Sequence, residues 1–73
     1  MIEFTEKELL EFFRMVKPDR LKAHLVRTIE TTRRLGINSL IKLVDQQVLS
    51  LELFSKIKSI VENPQIKFSI INQ

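Results

Sequence analysis

The chain has 73 residues, 44% hydrophobic and 29% charged, with 12 Lys and Arg against 9 Asp and Glu for a net charge of +3. It has no Cys, one His and one Gly, which removes disulfides, thiolate metal sites, cysteine nucleophiles, histidine metal clusters and glycine-rich phosphate loops. A domain this short buries only ~60% of the surface its unfolded chain exposes and is marginal unless a metal, a disulfide or a partner subunit supports it.

No apolar run reaches the ~18 residues of a bilayer span, and the first residues are acidic rather than basic and then apolar, so neither a membrane segment nor a signal peptide is expected. The expected setting is cytoplasmic.

The first helix is predicted over residues 5–17. Thr5 and Glu8 stand in the spacing of a capping box, and Phe4 and Leu9 occupy the flanking staple positions. Leu9, Phe12, Phe13 and Val16 follow at helical spacing, widened by Leu10 and Met15. Pro18 disfavours helical geometry in Lys17 and stops the helix there.

A second helix is predicted over 18–35. Pro18 suits the first helical position, where its missing N–H is no loss, and Asp19 suits the positive end of the dipole. Leu21, Leu25, Thr28, Ile29 and Thr32 make the inner face. Gly36 is expected to take a left-handed stop, with Ile37 folding back on the last turn.

Asn38 or Ser39 is expected to cap a third helix over 38–48, carrying Leu40, Ile41, Leu43, Val44 and Val48. Ser50 caps a fourth over 51–62, with Leu53, Phe54, Ile57, Ile60 and Val61 as its apolar set, ended by Asn63 and Pro64.

After Pro64 the period changes to two. Ile66, Phe68 and Ile70 alternate with polar neighbours, and the only similar alternation is Ile2 and Phe4 at the start. A lone strand leaves its backbone groups unpaired, so the two ends are expected to pair, within one chain or between two; the alternative is an extended tail laid over the bundle or frayed. The fold class is therefore mainly α: four short helices in a domain over 1–64, then an extended, strand-like C-terminal segment over 65–73.

Catalytic chemistry has little to draw on. The acids fall on solvent faces or at helix starts, and His24 has no carboxylate three or four residues to either side. No enzyme activity, cofactor, metal or small-molecule substrate is expected.

Charge is unevenly placed. Residues 1–11 hold four Glu and one Lys, residues 12–35 hold seven Lys and Arg against two acids, and residues 36–73 hold four Lys against three acids. At ~100° per residue, Arg20, His24, Arg27 and Arg34 form a stripe on helix two, away from Leu21, Leu25 and Ile29. Such a stripe fits an acidic protein surface or the phosphates of a nucleic acid. The competing reading is a solvated face in which Glu30 pairs with Arg27 and Arg34.

Helices three and four have the apolar spacing of a helix-turn-helix, but the reading surface would be Leu51, Glu52, Leu53, Ser55 and Lys56, with one cation and no Arg, Asn or Gln for base edges. The same stretch, with Leu40, Leu43, Asp45, Val48, Leu49, Ser50, Glu52, Phe54 and Lys58, resembles the helical hairpin of SHOCT-type short C-terminal domains over residues 40–58. It departs at Gln47, where that family has Gly, and at Ile57, where a cation is common. The resemblance implies an oligomerisation or interaction element.

Apolar side chains exceed what one stripe per short helix can bury. Leu10, Met15, Val26, Leu51, Leu53, Ile66, Phe68 and Ile70 are the expected surplus, and all of these except Val26 are the candidate self-association residues. The expected function is a non-enzymatic, self-associating interaction or regulatory module, a homodimer that docks on or occludes an acidic protein partner; the alternative is a nucleic-acid-binding regulator.

Overall fold

In a computed structural model describing all 73 residues, the chain is mainly helical, with four α-helices and a two-stranded parallel sheet. In chain order these are β1 (Ile2–Thr5), α1 (Glu6–Phe12), α2 (Leu21–Leu35), α3 (Asn38–Asp45), α4 (Leu51–Glu62) and β2 (Phe68–Ile71), with a 3-10 turn at Pro18–Arg20 leading into α2. Its extents are 29 × 28 × 18 Å.

Thr5 ends β1 and caps α1. Its hydroxyl accepts from the Glu8 N–H at 3.1 Å, and the Glu8 carboxylate accepts from the Thr5 N–H at 2.6 Å, so both arms of the capping box form. α1 stops at Phe12, well short of the predicted end at Lys17. Phe13 leaves helical geometry and leans on His24, with ring centroids 5.7 Å apart. Met15 turns left-handed at φ 64°, which redirects Val16 onto the core. The apolar spacing that suggested five more residues of helix, to Lys17, is met by a turn instead.

Pro18 opens the second helical segment as expected, but the first three residues form the tighter 3-10 geometry before α2 begins at Leu21. Leu21, Leu25, Ile29 and Thr32 are the buried residues of α2. Thr32 satisfies its buried hydroxyl by donating to the Thr28 carbonyl at 2.7 Å. Gly36 ends the helix at φ 97°, ψ 158°. That is the mirror of an extended conformation, not the left-handed helical one, so Ile37 does not fold back but leads into α3. Neither Asn38 nor Ser39 caps that helix: Ser39 donates through its hydroxyl to the Gly36 carbonyl at 2.7 Å, and Ile37 is the cap position.

α3 ends at Asp45, three residues before the expected Val48. Gln47 takes φ 62°, the Val48 N–H reaches the Leu43 carbonyl at 2.9 Å and the Gln47 N–H reaches the Val44 carbonyl at 3.0 Å. These two bonds make a Schellman stop, built here with Gln at the position where Gly costs least. Ser50 caps α4 by accepting from the Leu53 N–H at 3.1 Å, and α4 spans the predicted residues. At its other end, Pro64 has no N–H to give the Ile60 carbonyl, and the Arg33 guanidinium donates to that oxygen at 2.9 Å.

The two ends of the chain pair in parallel within one chain, Ile2 opposite Phe68 and Phe4 opposite Ile70. Residues 65–73 therefore contain a strand, and Ile66, Phe68 and Ile70 pack against the core. Phe4 is fully buried and meets Phe68 edge to face at 5.7 Å. Around it lie Leu9, Leu21, Leu25, Ile29, Leu40, Leu49, Leu53, Ile57 and Ile60 as one buried cluster. A two-stranded sheet is marginal alone; this one is backed by the helices.

Candidate interaction surfaces

The basic stripe of α2 is only partly assembled. Arg27 and Arg34 share a shallow outer surface with Ala23, Val26, Glu30 and Thr31. Arg20, in the 3-10 turn, is exposed but does not line it. His24 does not belong to the outward stripe: it is half-buried, its ring tilted at 50° against that of Phe13. Its backbone carbonyl accepts from the Thr28 hydroxyl at 2.9 Å. The expected pairing of Glu30 with Arg27 and Arg34 does not form, since the chain's one ion pair is Lys56–Glu8 at 2.8 Å. Both guanidiniums are thus open to an external anion.

Two members of the surface that a helix-turn-helix would present on α4 are engaged within the chain. Lys56 pairs with Glu8 and stands 5.8 Å from the Phe4 ring centroid, while Leu53 lies in the core.

The candidate self-association residues separate into three groups. Leu53 is 1% exposed and is corrected from surface to core; it completes the Leu53, Ile57, Ile60 face of α4, a spacing already legible in the sequence. Leu10, Ile66, Phe68 and Ile70 are half-buried against the core, so most of the apolar surplus is absorbed internally. Met15 and Leu51 are exposed, Leu51 by 67%.

Two apolar residues that the sequence places on helix three are exposed as well. Val48 is 52% exposed and Ile41 39%. Val48 and Leu51, with the half-buried Val44 of the last turn of α3, form an apolar band across the corner into α4, while Ile41 is exposed on α3 itself. Beside the band runs an open groove of about 570 Å³ between the end of α1 and the α3–α4 corner. Phe12, Val44, Val48, Leu49 and Leu51 give it apolar walls, and Glu11 and Arg14 stand on its rim.

No three His, Cys, Asp or Glu side chains come together as a metal site, and no helix is long and apolar enough to cross a membrane. No family model, curated protein or solved structure matches the chain.

Proposed function

We propose that the protein is a non-enzymatic interaction module that self-associates and works by docking on, or occluding, a protein surface. The observation that carries this reading is the apolar band of Val44, Val48 and Leu51 along the groove at the α3–α4 corner, where Val48 and Leu51 are exposed. Exposed apolar side chains grouped on one face cost little only when another surface covers them, and a second subunit relieves the shortage of core that a 73-residue chain faces. Apolar contacts would supply affinity, while Arg27 and Arg34 would steer an acidic partner.

Light scattering across a dilution series tests this reading. A molar mass that rises from one subunit toward two with concentration supports it; a single-subunit mass up to millimolar concentration overturns it.

The unpaired Arg27 and Arg34 favour a second reading, attachment to a nucleic-acid phosphate backbone. Phosphate attachment weakens steeply as salt rises. Retention on DNA or RNA that falls with salt and is lost in the Arg20→Ala/Arg27→Ala/Arg34→Ala variant is the outcome that supports it. Equal retention by that variant and the wild type overturns it.

A further inference from the structure

Taking that self-association as its premise, we infer that the groove at the α3–α4 corner receives the Leu51 side chain of a second copy of this chain, in a closed two-fold dimer. Leu51 is the first residue of α4, 67% exposed, and lines the groove itself. A projecting apolar side chain next to an apolar recess is self-complementary under a two-fold axis: each copy offers a knob and a hole, and both are used once.

The charges of the rim fit the same symmetry. Glu11 and Arg14 are both exposed and neither has an ion-pair partner within the chain. Their three-residue separation would bring them together on a continuous helix, but α1 stops at Phe12 and the chain turns left-handed at Met15, so Arg14 is off the helix. A two-fold axis passing between Glu11 and Arg14 would set Glu11 of each copy against Arg14 of the other. The rim carries one free charge of each sign, the composition that lets a surface meet itself without repulsion. A head-to-tail contact between the basic face of α2 and an acidic surface elsewhere on another copy would close only as a ring and would otherwise propagate as a filament.

The test compares molar mass against concentration for the wild type, Leu51→Glu, Glu11→Arg, Arg14→Glu and an equimolar mixture of the last two, with the helical circular dichroism melt of each as a folding control. Leu51→Glu should run as a folded monomer, because an acid at the first position of α4 suits the positive end of the helix dipole. Each charge variant alone places like charges together twice and should weaken the dimer by about tenfold or more. The mixture should recover dimer, since both cross-pairs become opposite in sign; misfolded chains would not recover.

A wild-type dimer that survives Leu51→Glu, or whose charge variants fail to recover on mixing, overturns this inference while leaving self-association through another face. A wild type that is monomeric throughout overturns both.

Discussion

Glu8 and Lys56, 48 residues apart, meet at 2.8 Å, and the carboxylate oxygen that accepts from Lys56 is the same one that accepts from the Thr5 N–H. One atom thus closes the first helix and clamps it to the fourth. Glu8 and Lys56 are 17% and 24% exposed, so the contact is shielded more than an ordinary surface pair. Glu8→Ala should cost about 1–2 kcal/mol by losing half the capping box together with the ion pair. Lys56→Met, which keeps the stem over Phe4, should cost less, about 0.5–1 kcal/mol. Urea denaturation of both variants and the double mutant should give a coupling of about 0.5 kcal/mol or more; strict additivity would show that the contact contributes nothing.

Arg33 substitutes for an N–H that Pro64 lacks. Arg33→Ala leaves the Ile60 carbonyl without its donor and should lower stability by about 1 kcal/mol. Pairing the change with Pro64→Ala, which restores a backbone donor at that position, should recover part of the loss in the same denaturation assay.

Two turn positions should respond in opposite directions to exchanging Gly with a side-chain residue. Gln47→Gly relieves a left-handed side-chain residue and should stabilise by about 0.5–1 kcal/mol. Gly36→Ala meets open space, with nothing within 4 Å of the added carbon, yet should destabilise by about 1–3 kcal/mol because φ 97°, ψ 158° belongs to Gly. Thermal melts that leave Gly36→Ala at the wild-type midpoint would show the turn to be adaptable.

Deleting residues 65–73 should abolish cooperative unfolding. The deletion removes the only strand partner of β1, the edge-to-face contact of Phe68 with Phe4, and the partly buried Ile66 and Ile70. Three half-buried apolar side chains are worth roughly 3 kcal/mol, against a total of only about 4–11 kcal/mol for a chain of this length. A sharp melt from the truncated chain would show instead that the helices stand alone.

Much of the fold was legible where a local signal has a single structural solution. Thr5 with Glu8 could only be a capping box, Ser50 capped the helix it announced, and the alternation of Ile66, Phe68 and Ile70 found its match in Ile2 and Phe4. Legibility failed where two geometries satisfy the same pattern. Phe13 and Val16 reach the core from a turn as well as from a helix, because Met15 accepts a left-handed backbone that its side chain does not advertise. Gln47 hides the end of α3 for the same reason. Parallel pairing of the ends was beyond the pattern, since alternation carries no direction.

The surface residues divide along similar lines. His24 sits at the margin of the polar stripe, and only the position of Phe13 decides that it turns inward. Leu51 and Leu53 are both apolar and both in the first turn of α4, but the core takes Leu53 in register with Ile57 and Ile60 and leaves Leu51 outside. That spacing was on view in the sequence, whereas the inward turn of His24 falls to the packing of neighbouring elements, which a single sequence does not display.

The strand pair also has a consequence for biosynthesis. All four helices are translated between β1 and β2, so a nascent chain can coil them but cannot seal Phe4 beneath Phe68 until the segment carrying β2 leaves the ribosome. Until then β1 presents a greasy, unzipped edge to the cell, and the interval in which chaperones and proteases can engage it lasts as long as the codons between the two strands take to read.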